Sequence, residues 1–287
     1  MNILVTGGLG FIGSHLVELL LSEGGHEITV VDNLISESSS RENMREGVNY
    51  LIEDIRNIET LRFDKEFDAV FHLAALARIQ PSFKDPVKYF SIDAMGTCKV
   101  LDLARRHKAK LVYAGSSSAY GGPMLNPYAF AKYTGEQACE MYSKVYDMST
   151  VIARFFNVYG ERQPTSGPYA TVVGVFEGQH SNGKTLTVTG TGEQRRDFTH
   201  VSDIVAGLRA LLEGEHRGQF YNLGTGTNYS INELAQMFQG ATIEYIAPRP
   251  GEAKWTLADI TDTTRDTGWT PKVKIQDYVK NFIESDS

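Results

Sequence analysis

The sequence predicts an α/β fold in which helices cover both faces of a doubly wound parallel sheet. Three observations support this prediction. Short apolar segments alternate with amphipathic helical segments over residues 1–157, a glycine-rich turn separates the first strand from the first helix, and polar side chains follow the apolar strands. In open parallel sheets, the groups that bind ligands lie at these carboxyl ends.

The elements follow one another in a regular order. Strands are predicted over residues 2–6, 27–31, 68–73, 110–114, 150–156 and 219–223. Helices are predicted to begin after the glycine-rich turn and to cover about 86–107, 128–146 and 201–212, with a further helix opened by a capping box at Ser230 and Glu233. After Asn157 the alternation stops until about residue 187. We therefore predict a Rossmann-type domain of residues 1–157 plus about 187–223, and a smaller, discontinuous C-terminal substrate domain of residues 158–186 and 224–287.

Composition limits the class of protein. The chain has 287 residues, 41% hydrophobic residues and a net charge of −7, which is enough apolar sequence for a large core and argues against nucleic acid as a partner. No apolar run is long enough to span a membrane. The first strand begins at residue 2, so we expect no signal peptide and a cytoplasmic location. Cys98 and Cys139 are expected to be packing residues, and no metal site is predicted.

The turn after the first strand has the spacing of a dinucleotide-binding site. Gly7 allows a tight turn, Gly10 lets the backbone approach a pyrophosphate, and Gly13 lets the helix pack closely on the strand. Asp32 ends the second strand 19 residues after Gly13, where a carboxylate accepts hydrogen bonds from both ribose hydroxyls and repels a 2′-phosphate. This pattern favours NAD over NADP; a glycine-rich surface turn is the alternative.

The pair Tyr128 and Lys132 indicates catalysis. Asn126 and Pro127 have the pattern of an N-cap and first helical position, so Tyr128 and Lys132 would lie on one face of a helix. An ammonium about 4 Å from a phenol favours the phenolate by roughly 4 kcal/mol at an effective dielectric near 20, which lowers the pKa by about three units. We therefore expect Tyr128 to act as a general base, with Ser116 holding the oxygen that loses its proton.

With these residues in place, the chain resembles the extended short-chain dehydrogenase/reductase family, and within it the nucleotide-sugar epimerases and dehydratases. The resemblance covers almost the whole length. Its further motifs are Asp54-Ile55, Ala74-Ala75, Arg154 to Gly160, Gly192 to Phe198, Asn222 to Gly226, Pro248 to Glu252, and Ala258-Asp259.

The resemblance implies a role for each matching residue. Ser116, Tyr128 and Lys132 would be catalytic. NAD would be bound by Gly7, Gly10, Phe11, Ile12, Gly13, Asp32, Asn33, Asp54, Ile55, Leu73, Ala74, Ala75, Tyr128, Lys132 and Phe155. The nucleotide sugar, with a UDP-hexose expected, would be bound by Ser116, Ser117, Asn157, Arg196 and Arg249. Arginine suits this role because its planar fork pairs with phosphate oxygens. A surface ion pair with Asp197 is the alternative for Arg196, and Arg195 is as readily structural as functional.

The residues after Ser116 discriminate between reactions. Dehydratases of the family usually carry an Asp-Glu pair there, and decarboxylases a Glu, whereas this chain has Ser117, Ser118 and Ala119. The resemblance therefore implies C4 epimerisation of a UDP-hexose, UDP-glucose/UDP-galactose or the N-acetyl forms. A sibling dehydratase, decarboxylase or reductase is the alternative, followed by a non-catalytic protein that senses NAD or a nucleotide.

Several positions depart from the family pattern. The segment between Gly121 and Tyr128 is short, Asp93 stands where asparagine is usual, and Thr256 is a small residue at the position that limits sugar size. The family also implies a homodimer. The candidates for its outer apolar face are Phe83, Tyr89, Met141 and Tyr142, and the alternative is that they are ordinary surface residues.

Overall fold

A seven-stranded parallel sheet organises the larger part of the chain. The computed structural model describes residues 1–36 and 38–286. Its strands are β1 Asn2–Thr6, β2 Glu27–Asp32, β3 Val48–Ile52, β4 Ala69–His72, β5 Lys110–Ser116, β6 Thr150–Phe155, β7 Val158–Tyr159, β8 Leu186–Thr189, β9 Arg195–Asp197, β10 Thr199–His200, β11 Arg217–Leu223, β12 Asn228–Ser230 and β13 Ile243–Ile246. The large sheet has the order β11-β6-β5-β4-β1-β2-β3, and all its neighbours are parallel. This is the predicted doubly wound sheet, with the strand order reversing between β1 and β4.

Helices cover both faces of this sheet. They are α1 Phe11–Glu23, α2 Ile79–Lys84, α3 Pro86–Tyr89, α4 Thr97–Arg106, α5 Ser118–Gly121, α6 Pro127–Tyr146, α7 Val172–Ser181, α8 Val201–Leu211, α9 Ile231–Met237, α10 Thr261–Thr267 and α11 Ile275–Asp286. Helices α1 and α8 pack together on one face, and α4 and α6 on the other. A π-helical turn, Phe90–Gly96, joins α3 to α4 within the predicted helix 86–107. Within residues 1–36 and 38–286, none of the helices has the length and apolar character needed to cross a bilayer.

A smaller lobe has its own apolar core. Strands β8 and β13 form a separate parallel pair, and their side chains pack against α7, α9 and α11. The prediction that residues from about 187 onward return to the large domain is therefore wrong for β8, because its hydrogen-bond partner is β13. The return to the sheet occurs later, with α8 packing on it and β11 pairing with β6. The division into two domains otherwise stays a prediction.

The predicted outer apolar face is only partly exposed. Phe83 and Met141 are 44% and 41% exposed. Tyr89 is 2% exposed, and its ring packs edge-on against the Tyr128 ring with centroids 6.3 Å apart. Tyr89 was therefore wrongly assigned to that face, since it belongs to the core beside the site.

Candidate active site

A cavity of about 780 Å³ lies along the carboxyl edge of the sheet, between the sheet and the smaller lobe. Most of the residues predicted to bind ligands line it. They are Gly7, Gly10, Phe11, Ile12, Gly13, Asp32, Asn33, Ile55, Leu73, Ala74, Ala75, Ser116, Ser117, Tyr128, Lys132, Phe155, Asn157, Arg196 and Arg249. The fold thus brings residues from distant segments into one space, while their individual roles remain predictions.

The glycine-rich turn leaves room for a phosphate at the start of α1. Gly7 has a φ of 73°, and a Cβ there would lie 2.7 Å from the Ala74 nitrogen. A Cβ on Gly13 would lie 2.1 Å from the Gly7 oxygen. At Gly10, by contrast, the nearest atom to a Cβ is 3.4 Å away, and no side chain caps the helix. The uncapped amides and the space in front of Gly10 fit a dinucleotide pyrophosphate.

Asp32 lies at the end of β2 where a ribose would be expected. Its carboxylate accepts hydrogen bonds from the Leu9 and Leu34 amides at 3.0 and 2.8 Å, and burial raises its pKa. In the described part of the cavity wall around Asp32, residues 33, 35, 36, 38, 39 and 53, there is no lysine or arginine. A 2′-phosphate would therefore meet a carboxylate and no cation, which fits NAD better than NADP.

Asp54 lies behind the cavity wall and not in it. Its carboxylate caps the turn Ile55–Thr60, accepts two hydrogen bonds from the Arg56 guanidinium at 2.9 Å, and accepts one from Asn33 at 2.9 Å. Arg56 holds the pKa of Asp54 down at about 2. The carboxylate is thus engaged within the protein, and the contact between Asp54 and the cofactor stays a prediction. Its neighbours Asn33 and Ile55 do line the cavity.

The predicted catalytic residues lie together at the ends of β5 and α6. The Asn126 side chain accepts the Ala129 amide at 2.8 Å and Pro127 is the first residue of α6, as the sequence predicted. This cap places Tyr128 in the first turn, and its hydroxyl donates to Ser116 Oγ at 3.3 Å. Ser118 Oγ donates to the same Ser116 oxygen at 2.9 Å. Lys132 is 5% exposed, with Nζ 4.4 Å from the centre of the Tyr113 ring.

The pKa of Tyr128 is raised, contrary to the prediction that Lys132 lowers it. Burial is the main cause, and it outweighs the hydrogen bond with Ser116 and the charge of Arg78, both of which lower this pKa. Burial also lowers the pKa of Lys132, so the two groups are both moved toward their neutral forms. The simple two-charge estimate failed because it omitted the cost of removing both groups from water.

The substrate end of the cavity contains Arg196 and Asn157. Arg196 Nη2 lies 3.4 Å from a Glu252 carboxylate oxygen, so its ionic neighbour is Glu252 and not Asp197. Asp197 instead accepts the amides of the Thr225 region and of Ala258. The Asn157 amide donates to Thr256 Oγ1 at 3.2 Å, which joins two loop residues of the cavity wall.

Arg195 is engaged outside the cavity. Its guanidinium donates to Asn228 at 2.9 Å and lies 2.9 Å from Glu233. These contacts favour the structural alternative for Arg195.

Sequence reasoning missed Arg78 and Tyr169 as residues of the cavity wall. Arg78 follows the Ala74-Ala75 motif, and its Nε donates to the Tyr169 carbonyl oxygen at 2.7 Å. A signal existed in the sequence, since an arginine three residues beyond a motif at a strand end is a charge placed near a ligand site. The backbone conformation that places Arg78 in the cavity wall depends on the fold and has no signal in the sequence.

This fold and cavity define a dinucleotide-binding protein with a tyrosine–lysine pair beside the cofactor site. Residues 3–224 match the model of the NAD dependent epimerase/dehydratase family. The chain therefore belongs to that family, and its cofactor is NAD.

Individual relatives agree with this assignment. The chain is 34% identical to a putative UDP-glucose 4-epimerase of Methanocaldococcus jannaschii, over 98% of this chain and 97% of that protein. It is 32% identical to UDP-glucuronic acid decarboxylase 6 of Arabidopsis thaliana, over 96% of this chain and 86% of that protein. The crystal structure of UDP-glucose 4-epimerase from Thermotoga maritima with UDP-glucose superposes with a TM-score of 0.91 at 30% identity, covering 99% and 98% of the two chains. The predicted family and fold class are confirmed.

Proposed function

We propose that this protein is an isomerase that inverts C4 of a UDP-hexose. The observation that carries the proposal is the hydrogen bond between Tyr128 and Ser116, at 3.3 Å, in the cavity that also contains the glycine-rich turn and Arg196. A base, a hydroxyl that holds the reacting oxygen and a cation for a diphosphate are thereby brought together. Bound NAD would supply reversible hydride acceptance at C4, which a transient 4-keto sugar requires.

Residues of the chain carry out proton transfer, cofactor binding and diphosphate binding in this proposal. Tyr128 takes the proton of the C4 hydroxyl and later returns one to the C4 oxygen, while Ser116 holds that oxygen. Lys132, one helical turn after Tyr128 on α6, binds the ribose of the cofactor in this proposal. Arg196, with its pKa lowered by burial and supported by Glu252, and the exposed Arg249 bind the diphosphate.

The distribution of carboxylates favours epimerisation over the sibling reactions. In the described residues, the acids that line the cavity are Asp32 and Glu53, at the adenosine end, and Glu252, beside Arg196. Elimination of water needs an acid and a base next to the reacting hydroxyl. Ser117, Ser118 and Ala119 offer neither beside Ser116.

The proposal extends to the choice of sugar, the oligomeric state and the location of the protein. Thr256 lines the cavity with a small side chain, so we expect a 2-acetamido sugar to be admitted as well as UDP-glucose or UDP-galactose. A homodimer through the face that includes Phe83 and Met141, and a cytoplasmic location, belong to the same proposal.

The test follows the anomeric protons of UDP-glucose and UDP-N-acetylglucosamine by NMR, with the purified protein and then with added NAD. Formation of the galacto isomers to a constant ratio is expected, with Tyr128→Phe inactive and Tyr133→Phe, a matched change on the same helix, active. Net conversion to a 4-keto or decarboxylated sugar would move the assignment to a sibling reaction. Near-normal turnover by Tyr128→Phe would contradict the role of the tyrosine.

A further inference from the structure

The loop between β4 and α2 holds an arginine in a backbone conformation suited to glycine. Arg78 has φ 115° and ψ 140° and immediately precedes α2. Side chains rarely adopt positive φ because the Cβ meets the backbone, and such strain persists mainly where the surrounding structure enforces it, often at functional sites. An arginine at this position therefore suggests that its side chain has a task that outweighs the strain.

The Arg78 guanidinium is only partly satisfied. Its Nε donates to the Tyr169 carbonyl oxygen at 2.7 Å. Within residues 1–36 and 38–286, its two terminal amino groups have no hydrogen-bond acceptor and no carboxylate pairs with it. Burial lowers the pKa of Arg78, and the groups that oppose this are the phenols of Tyr128 and Tyr89. Arg78 lines the cavity, so both amino groups are available to an anion bound there.

The other basic residues that line the cavity differ from Arg78 in their partners or in their exposure. Arg196 has Glu252, Lys132 lies over the Tyr113 ring, and Arg249 is on an exposed segment. Arg78 differs because it lines the same cavity as Tyr128 and Ser116 while its side chain has only the Tyr169 carbonyl oxygen as a partner among the described residues. Its charge also lowers the pKa of Tyr128, which agrees with a position near that phenol. Its free amino groups are therefore available to the hexose whose C4 hydroxyl Tyr128 would serve.

We propose that Arg78 binds a carboxylate on the hexose, so that the preferred substrate is a nucleotide-linked hexuronic acid. This rests on the proposed C4 epimerisation and narrows it. The planar guanidinium can donate in parallel to both oxygens of a carboxylate. In a hexuronic acid the carboxylate is attached to C5, next to the carbon at which Tyr128 acts. A neutral hexose offers only a hydroxyl there and no charge to pair with the guanidinium.

The test compares the affinities for UDP-glucuronate and UDP-glucose by calorimetry in the presence of NAD. The measurements use the Tyr128→Phe background, so that no turnover interferes. The unchanged Arg78 protein should bind UDP-glucuronate at least about 10-fold more tightly, and Arg78→Gly should reduce this preference by about 10-fold to 100-fold, the range expected for hydrogen bonds to a charged group. Arg78→Lys should retain part of the preference, because an ammonium keeps the charge and loses the fork.

Two controls separate this role from folding and from diphosphate binding. Glycine is favoured at φ 115°, so Arg78→Gly should unfold at a temperature no lower than that of the parent protein. Arg196→Gln should weaken both ligands together, because both contain the same diphosphate.

The inference is overturned if the parent protein binds the two sugars equally, if the preference survives in Arg78→Gly, or if that variant weakens both sugars alike. The proposed function fails separately. A preference for UDP-glucuronate without C4 inversion of any sugar would refute the epimerase assignment only, and inversion of UDP-glucose without a preference for the uronic acid would refute the Arg78 inference only.

Discussion

Replacing Asp93 with asparagine should stabilise the folded protein, and the gain should grow as the pH rises. Asp93 lies in the π-helical turn and is 1% exposed. Its Oδ1 accepts the Leu76 amide at 2.7 Å, while Oδ2 has no hydrogen-bond partner among the described residues. Burial raises the pKa of this carboxyl from 3.8 to about 7, against the opposing effects of the Lys132 charge and the Leu76 amide.

The size and sign of the effect follow from this shift. Because the folded pKa lies above the unfolded one, Asp93 favours folding fully only below about pH 4, and that contribution is lost as the pH rises through about 7. A shift of about three units corresponds to roughly 4 kcal/mol at 1.36 kcal/mol per unit. Asparagine cannot ionise and keeps the acceptor for Leu76. The advantage of Asp93→Asn should therefore increase by about 3 kcal/mol between pH 5 and pH 8.

Urea unfolding of both proteins at pH 5, 6, 7 and 8 measures this difference. Asp102→Asn is the matched control, since it removes the same charge from a side chain that is 42% exposed on α4, and we expect its effect to stay within about 0.5 kcal/mol at every pH. If the free energies of unfolding of wild type and Asp93→Asn ran parallel from pH 5 to pH 8, the carboxyl would not be buried in the way the structure shows.

Two further predictions concern the glycine-rich turn and a buried ion pair. Gly13→Ala should lower the unfolding temperature, because its Cβ would lie 2.1 Å from the Gly7 oxygen. Gly10→Ala should leave the unfolding temperature nearly unchanged and weaken NAD binding. Equal unfolding temperatures for the two variants would contradict the packing argument. Glu136→Ala should cost about 3–5 kcal/mol of unfolding free energy, because Arg154, 2.7 Å away, is left buried without its partner. Adding Arg154→Met should recover part of that loss in a double-mutant cycle, and strictly additive losses would show that the pair is not coupled.

The features predicted correctly from the sequence depend on local patterns. The Asn126 cap and Pro127 define the start of α6 within a few residues, and the capping box at Ser230 does the same for α9. The alternation of strands and helices likewise predicts the doubly wound sheet, because each βα unit carries its own apolar periodicity.

The features missed depend on contacts between distant segments. Strand β8 was placed in the wrong part of the fold because its partner, β13, is more than 50 residues away, pairing Leu186 with Ile243. The sequence motif around Asp54 likewise does not reveal that Arg56 donates two hydrogen bonds to its carboxylate. The left-handed conformation of Arg78 has no local signal either, since its neighbours are ordinary residues.

The raised pKa of Tyr128 bears on how such a site could work. Burial moves Tyr128 and Lys132 toward their neutral forms, and the Ser116 hydrogen bond and the Arg78 charge do not reverse this for the tyrosine. A phenolate in this wall therefore needs further positive charge nearby, and an oxidised nicotinamide carries one. On this argument the protein would hold its base neutral until the oxidised cofactor is bound, so that proton removal from the sugar and hydride acceptance are available together.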